Sequence, residues 1–373
     1  IITAEKKDGS IIKKQYTSLI LATGASPAHP PIKNIYEPDS KKLRKDVFTV
    51  RTIPDAKQIS AVAQSGKKAT VVGAGLIGLE MADTLHKKGL KVTIVEALPT
   101  ILTNILDKDM TKPILKTLEE SVNIHLDTFA TEIKTNDDEK ISSVLIKEKN
   151  NDEQKEIPTD LMVIAAGIKP ETTLAEQAGC KIGKTKAIKV DNQAKTSKES
   201  IYAVGDCTEY VDFVTGTPVP IGLGSIAVRQ GIAAGTNAAG GTYTLPKGAL
   251  QTATSEFFNI EIGSVGPSLE TRKNKKTVTA KHKGLSKPEY FPGGKPIMMK
   301  TIVDLETGKV IGAQAVGENA AQRVNTYATA ILSELHIDAF RKLETAYAPP
   351  IAPTLDVVTL AADIASLKWH RKK

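Results

Sequence analysis

The chain has 373 residues and a formal net charge of +8; 40% of its residues are hydrophobic and 25% are charged. This length predicts two or three domains. Because no apolar run is long enough to span a membrane and no signal peptide opens the chain, we expect a cytoplasmic protein with no membrane partner. The basic residues are scattered in short pairs and aromatic residues make up only 4%, which favours a solvated surface over a nucleic-acid-binding one.

Two cysteines, Cys180 and Cys207, are present. They are too few and too far apart for a disulfide framework, a CxxC redox pair or a zinc site. We therefore expect no bound metal.

The first part of the chain predicts short strands and one helix. Strands are predicted at residues 1–4, 11–16 and 19–22, and a helix at residues 53–63. The first two strands flank an Asp8-Gly9 turn, which is typical of a hairpin. The third strand ends in ATGASP, residues 22–27. Here Thr23 and Gly24 either let the backbone turn sharply beside a bulky group or form an ordinary exit from the strand into a loop.

The segment VVGAGLIGLE, residues 71–80, predicts a dinucleotide-binding turn between a buried strand and a helix. In its G-x-G-x-x-G pattern, Gly73 permits the tight turn, Gly75 lets a pyrophosphate approach the backbone, and Gly78 lets the helix pack on the strand. The amino end of such a helix favours negative charge. Strand, turn, helix and second strand in register make a chance glycine turn the weaker interpretation.

Glu96 ends the second strand, 18 residues after Gly78. A carboxylate there can accept hydrogen bonds from a ribose diol and repels a 2′-phosphate. The next residues, Ala97, Leu98 and Pro99, supply no cation to neutralise such a phosphate. The sequence therefore favours NADH over NADPH.

The middle of the chain predicts a helix, a β-meander and then a further strand of the parallel sheet. Asp109 is a suitable N-cap for a helix over residues 110–121, and a β-meander is predicted between residues 123 and 157. A parallel strand at residues 161–165 leads into AAGIKP, which places Gly167 at the carboxyl edge of the sheet, where nucleotides bind.

The segment YAVGDCTE, residues 202–209, follows predicted strands at 188–190 and 201–204. Its Asp206 is placed either to accept hydrogen bonds from a polyol or to cap the next turn. A helix rich in Ala and Gly is predicted within residues 218–241, and it suits close packing against a flat cofactor or a partner helix.

The composition changes from about Leu250. Antiparallel strands are predicted at residues 257–262, 277–280, 297–303 and 310–315, followed by helices at 320–335 and at the end of the chain as far as Trp369. This order predicts an α+β domain.

Four segments stand together in one order: ATGASP, GAGLIGLE with Glu96, AAGIKP and YAVGDC. In this combination the chain resembles the pyridine nucleotide–disulfide oxidoreductase family. YFPGG (290–294), GKVIGAQAVG (308–317) and AYAPP (346–350) resemble its CoA-disulfide reductase and NADH oxidase branch.

The resemblance implies an α/β fold with two Rossmann-like, three-layer domains for FAD and NAD and a C-terminal α+β dimerisation domain. The implied domains are residues 1–50 with 169–245 for FAD, 51–168 for NAD(P)H and 246–373 for the homodimer interface.

The resemblance also implies a relay of two electrons from NADH through FAD to a single redox cysteine. The implied FAD contacts are Thr23, Gly24, Asp206, Ser225 and Ala227, and the implied NADH contacts are Gly73, Gly75, Ile77, Gly78, Glu80, Glu96 and Gly167. Tyr290 and Tyr347 resemble tyrosines that reach the partner's active site and assist thiol chemistry.

The sequence departs from the family at several points. It contains neither the first glycine fingerprint nor the redox cysteine, so we expect it to start inside the flavin domain, after both. AYAPP replaces the His-Pro-Thr motif of the dithiol branch, which argues against glutathione- or lipoamide-type reduction. An aromatic residue common after Glu96 is replaced by Ile105 or its neighbour Asn104.

Several functions remain open on this basis. CoA disulfide, a persulfide, dioxygen and peroxide all fit as electron acceptors. The alternatives to a reductase with an upstream cysteine are a truncated, non-catalytic dimeric module that binds NADH, and an electron-transfer flavoprotein reductase.

Overall fold

The structure, a computed structural model, describes residues 1–151, 153–269 and 272–373. These residues form two compact units, one of residues 1–26 with 169–251 and the other of residues 27–168 with 252–373. Each unit thus combines two separate stretches of sequence. Residues 27–50, which the predicted boundary assigns to the flavin domain, cluster with the second unit; the division into three domains stays a prediction.

The strands are two to four residues long in the first unit and reach nine residues in the second. The strands are β1 Ile2–Glu5, β2 Ile11–Lys14, β3 Leu19–Leu21, β4 Ala25–Pro27, β5 Val47–Thr49, β6 Lys68–Val72, β7 Lys91–Val95, β8 Asn123–His125, β9 Thr128–Thr135, β10 Ile141–Glu148, β11 Gln154–Pro158, β12 Leu161–Ile164, β13 Ile168–Pro170, β14 Ile188–Lys189, β15 Ile201–Ala203, β16 Thr208–Val211, β17 Pro218–Pro220, β18 Ala253–Phe257, β19 Ile260–Val265, β20 Thr277–Leu285, β21 Pro296–Asp304 and β22 Val310–Gly317. The helices are α1 Ile53–Val62, α2 Leu76–Lys87, α3 Lys108–Leu118, α4 Thr173–Gln177, α5 Gly224–Ala238, α6 Ala320–Leu332, α7 Ile337–Phe340 and α8 Val357–His370, with a 3-10 turn at Gly205–Cys207.

The first unit contains the predicted hairpin and a small parallel sheet. Strands β1 and β2 pair antiparallel around the Asp8-Gly9 turn. Strand β3 pairs parallel with β15, with Leu19 opposite Ile201. Buried apolar side chains from these strands, including Leu21 and Ala203, form one core with residues of the β14-β16-β17 sheet.

The second unit contains the predicted dinucleotide fold. Its parallel sheet has the strand order β5-β12-β6-β7-β8. The strands are nearly continuous apolar runs because a parallel sheet is covered on both faces. Leu79 and Leu85 of α2 pack in the core beside Ile94 of β7, as the helical spacing predicts.

The carboxyl-terminal part of the second unit is an antiparallel sheet of order β18-β19-β22-β21-β20 covered by helices. Helix α6 packs on β19 and β22, and α8 packs on β20 and β21. This arrangement agrees with the predicted α+β domain. Across the described ranges, every helix is too short or too polar to traverse a lipid bilayer.

Three local predictions were wrong. Strand β8, at the start of the predicted β-meander, pairs parallel with β7 and belongs to the parallel sheet. Helix α3 begins after Asp107, so Asp109 lies in its first turn instead of at its N-cap. The strand predicted at 257–262 is a hairpin, with Phe258 and Asn259 at positive φ values of 48° and 58° between β18 and β19. Sequence reasoning missed the turn because a turn of this kind usually carries Gly or Asn-Gly.

Candidate nucleotide-binding sites

The three glycines of the turn after β6 differ in the space around them: Gly73 and Gly78 are crowded by protein atoms, and Gly75 is not. A Cβ on Gly73, at φ +104°, would lie 2.5 Å from the Ala165 carbonyl oxygen, and one on Gly78 would lie 2.0 Å from the Gly73 oxygen. A Cβ on Gly75 would meet no atom within 4 Å. Protein packing therefore explains the first and third glycines, whereas the second leaves room for a ligand to approach the backbone.

Glu96 closes this turn from the end of β7. Its side chain is 9% exposed, and its Oε2 accepts a hydrogen bond of 2.6 Å from the Ala74 amide. Its Oε1 accepts one of 2.9 Å from the Leu98 amide. Each carboxylate oxygen has a second lone pair, so the group can also accept from a ribose hydroxyl. Because the carboxylate bonds the Ala74 amide directly, it helps to fix the glycine turn.

The remaining predicted NADH contacts lie in the same unit. Ile77 is exposed on the first turn of α2. Gly167 has φ +104° and open space around its missing side chain. Glu80 accepts a 2.5 Å hydrogen bond at Oε1 from the Ser255 hydroxyl of β18, so its orientation is set by the carboxyl-terminal sheet. Sequence reasoning did not find Ser255, because 175 residues separate the pair.

The predicted FAD contacts all lie in the first unit. The Thr23 hydroxyl donates to the Glu171 carbonyl oxygen at 2.6 Å, and Gly24 has φ +69°. Asp206 lies in the 3-10 turn, whose Gly205 approaches Ala227 so that a Cβ on the glycine would lie 3.5 Å from the Ala227 Cβ.

The amino end of α5 is open. Ser225 is exposed, and a Cβ on Gly224 would meet no atom within 4 Å. A helix amino terminus with this much room can receive a cofactor oxygen. Small residues, a carboxylate and an open helix end therefore fit part of a flavin nucleotide site.

Gln230 of α5 is a residue that the sequence analysis missed. Its buried Oε1 accepts hydrogen bonds from the Gly205 amide at 2.8 Å and from the Thr208 hydroxyl at 3.2 Å. These bonds fix the turn that carries Asp206. The available signal was an amide side chain among the small residues of α5.

Both cysteines are buried. The Cys207 thiol donates to the Val204 carbonyl oxygen at 3.2 Å, and the Cys180 thiol donates to the Thr196 hydroxyl at 3.5 Å. A redox thiol must be accessible to its substrate, so this burial agrees with the prediction that neither cysteine is the redox centre. No group of three or more His, Cys, Asp and Glu side chains suited to a metal ion is found among the residues that the structure describes.

Tyr290 and Tyr347, predicted separately, lie together. Their phenolic oxygens are 2.7 Å apart, and their side chains are 71% and 45% exposed. The shared hydrogen bond raises the pKa of Tyr290 above its usual 10.0 and, together with Thr354, lowers the pKa of Tyr347. One shared hydrogen bond thus shifts the pKa values of the two phenols in opposite directions.

The parallel sheet, the glycine turn and the carboxyl-terminal sheet define an α/β protein with Rossmann-like nucleotide-binding domains. Residues 1–233 match the model of the pyridine nucleotide-disulphide oxidoreductase family, and residues 252–358 match the dimerisation domain of the same family. The chain belongs to this family, and the predicted family and fold class are confirmed.

Named relatives match almost the whole chain. The NADH oxidase of Methanocaldococcus jannaschii is 39% identical over 98% of this chain and 79% of its own length. The NAD(P)H coenzyme A polysulfide/persulfide reductase of Pyrococcus horikoshii is 33% identical over 96% of this chain and 78% of its own length.

A solved structure also matches almost the whole chain. The NAD-dependent persulfide reductase from A. fulgidus superposes with a TM-score of 0.90 at 36% identity, covering 98% of this chain. The chain spans only 65% of the length of that structure.

Proposed function

We propose that this chain is part of a flavoprotein oxidoreductase that takes electrons from NADH and reduces a disulfide or persulfide of coenzyme A, dioxygen or peroxide. The observation that carries the proposal is the Glu96 carboxylate, bonded to the Ala74 amide at 2.6 Å beside the open Gly75. A relative named NADH oxidase and others named for sulfur or CoA substrates support this range of acceptors.

The proposed NADH site is the glycine turn and the residues around it. Gly75 would face the pyrophosphate and Glu96 the adenosine ribose, while Ile77 and Gly167 would border the nucleotide. Glu80 would lie near the nicotinamide, held by Ser255. Gly73 and Gly78 shape the turn from within, because neither has room for a side chain.

The proposed FAD site uses Thr23, Gly24, Asp206, Ser225 and Ala227. When bound, the flavin would supply a centre that accepts a hydride and delivers two electrons. Asp206 would accept hydrogen bonds from the ribityl hydroxyls, and Gln230 holds the turn that carries it. Thr23 and Gly24 would line the site from the end of β3, and Ser225 and Ala227 would border the flavin ring.

We propose that the redox thiol is supplied by a residue outside this sequence, because Cys180 and Cys207 are buried. Tyr290 and Tyr347 would supply and take back the proton that thiol chemistry needs. The match to a dimerisation domain supports a homodimer formed through residues 246–373, with each tyrosine pair serving the partner subunit. The cytoplasmic location stays a prediction.

A comparison of electron acceptors tests the proposal. Consumption of NADH by the full-length protein that contains this chain would be followed at 340 nm with added FAD and, in turn, CoA disulfide, a CoA persulfide, dioxygen and hydrogen peroxide. We expect one acceptor to dominate. A full-length protein that binds NADH but consumes it with no acceptor would favour the non-catalytic module.

Replacing the acid tests cofactor choice. We expect Glu96→Ala combined with Ala97→Arg to weaken NADH binding by about 10-fold or more and to strengthen NADPH binding, because the ribose acceptor is lost and a cation can pair with the 2′-phosphate. Dissociation constants for both nucleotides, measured by fluorescence titration, check this.

Glu120→Ala, at an exposed position of the same domain, is the control and should leave both constants unchanged. Glu96→Gln separates charge from shape, because its amide oxygen can still accept from a backbone amide. If the double variant kept the original NADH preference, Glu96 would not be the selecting residue.

Replacing one tyrosine tests the proton assignment. We expect Tyr347→Phe to slow acceptor reduction by about 100-fold, the lower end of what a positioned acid contributes, with NADH binding unchanged. Activity that needs the Tyr347 proton falls as pH rises through its lowered pKa, and Tyr290→Phe should move that fall to higher pH.

The rate and its pH profile are the measurements, supported by the ultraviolet absorbance of phenolate. Tyr16→Phe, in the other unit, is the matched control. If the loss of activity at high pH occurred at the same pH in Tyr290→Phe as in the parent protein, Tyr347 would not be the group that supplies the proton.

A further inference from the structure

The backbone of Ala74, at the centre of the glycine turn, is held on both sides. Its amide donates to Glu96 at 2.6 Å, and its carbonyl oxygen accepts a 3.0 Å hydrogen bond from the Leu102 amide. These bonds orient the two successive peptide units that Ala74 joins, the second of which carries the Gly75 amide. Because the backbone amides of this turn would face the pyrophosphate, that orientation sets the geometry of the proposed NADH site.

Leu102 makes its hydrogen bond to Ala74 from a backbone conformation that is energetically unfavourable. It is buried and has φ +53°, in the left-handed region that bulky residues avoid. Its own carbonyl oxygen accepts from the Ile105 amide at 2.7 Å and the Leu106 amide at 2.9 Å. A conformation of this kind persists only where the surroundings hold it in place.

Asp107 directly follows Leu106, whose amide bonds the Leu102 carbonyl oxygen. Asp107 exchanges two hydrogen bonds with Gln314 of β22, of 2.9 Å from the Asp107 amide and 3.0 Å from the Gln314 amide group. The Asp107 carboxylate also accepts from Arg272 and lies 2.8 Å from the Lys300 Nζ. Lys300 reaches Asp109 at 2.6 Å as well.

Apart from Asp109, whose side chain is 46% exposed, these groups are almost fully buried, and the Arg272 side chain is only 1% exposed. Burial alone would raise the pKa of Asp107, but the two cations outweigh it and hold the pKa below its usual value. The carboxylate therefore stays charged at neutral pH, and its position is fixed by the carboxyl-terminal sheet. Asp107 makes no capping bond to α3, because its oxygens are engaged in this cluster.

We propose that three residues, Gln314, Arg272 and Lys300, are positioning residues for NADH binding. By fixing Asp107 they hold the segment that contains Leu102 in place. Leu102 in turn holds the carbonyl group of Ala74 through its amide. The inference rests on the proposed NADH site. It means that three residues of the dimerisation domain, which lie outside the glycine turn, contribute to the affinity for NADH.

The test is NADH binding by Gln314→Met, which keeps the side-chain length and removes both bonds to Asp107. We expect its dissociation constant for NADH to rise at least five-fold, with a parallel rise for ADP-ribose, which carries the same pyrophosphate. Lys300→Met should act in the same direction, and Lys300→Arg should restore most of the affinity. Titration calorimetry with NADH and with ADP-ribose measures each constant.

The control is Asp356→Asn, which weakens a buried ion pair with Arg323 elsewhere in the same domain. It should lower the melting temperature without changing the NADH constant, whereas a merely structural role of Gln314 would make the two variants alike. Unchanged NADH affinity in both Gln314→Met and Lys300→Met, or an equal loss in Asp356→Asn, would overturn the positioning role. Absence of NADH binding by the unsubstituted chain would instead overturn the proposed site.

Discussion

Gly75→Ala is expected to leave the fold intact and to weaken NADH binding by about 10- to 100-fold. A Cβ at this position meets no protein atom within 4 Å, and the backbone φ of −76° suits alanine. The new methyl group would instead occupy the space where the pyrophosphate approaches the turn. NADH titration and a thermal melting curve of the same sample measure the two effects.

Gly73→Ala is the matched comparison, because it changes the same turn from the opposite side. Its Cβ would lie 2.5 Å from the Ala165 oxygen, and φ +104° strains any other residue. This variant should therefore lose several degrees of melting temperature. If Gly75→Ala bound NADH as tightly as the parent chain, the proposed position of the pyrophosphate would be wrong.

Asp356→Ala is expected to lower the free energy of unfolding by about 3–5 kcal/mol. The carboxylate receives hydrogen bonds of 3.0 Å from the Arg323 Nε and 2.8 Å from its Nη2, and it caps α8 through the Val358 amide at 3.0 Å. Removal leaves the arginine charge buried and unpaired. Denaturant unfolding of the parent and the variant measures the loss.

Adding Arg323→Met to Asp356→Ala provides the control. Replacing both partners removes the unpaired charge, so the double variant should recover a large part of the lost stability. The cap of α8 would still be missing, at a cost of about 1 kcal/mol. A double variant less stable than Asp356→Ala would show that packing by the Arg323 side chain outweighs its charge.

The features that the sequence predicted well depend on neighbouring residues. The glycine turn, its helix and the acid at Glu96 follow one another within a single strand–helix–strand unit, so their spacing alone specifies their geometry. Strands β6, β7 and β12 of the parallel sheet were predictable because they are apolar runs ending at glycines or polar residues, whereas the short edge strands β5 and β8 were not recognised as members of it.

The features that sequence reasoning missed depend on residues far apart in the chain. Gln314 meets Asp107 across 207 residues, and no local pattern indicates that pairing. Helix α3 begins after Asp107, two residues before the predicted N-cap Asp109, although the Asp107 side chain makes no capping hydrogen bond. Tyr290 and Tyr347 were selected by resemblance, but their 2.7 Å contact required the fold.

The pairing of β3 with β15 bears on the order in which the chain acquires its structure during synthesis. Leu19 meets Ile201, so β3 emerges from the ribosome about 180 residues before its neighbour. At roughly 5–20 residues per second the wait is about 10–40 s, during which β3 and its partly exposed Ile20 have no sheet partner from β15. The segment from β6 to β12 is complete within that interval. We therefore expect the β6–β12 part of the second unit to form before the first unit closes, whereas the antiparallel sheet that begins at β18 is synthesised after both.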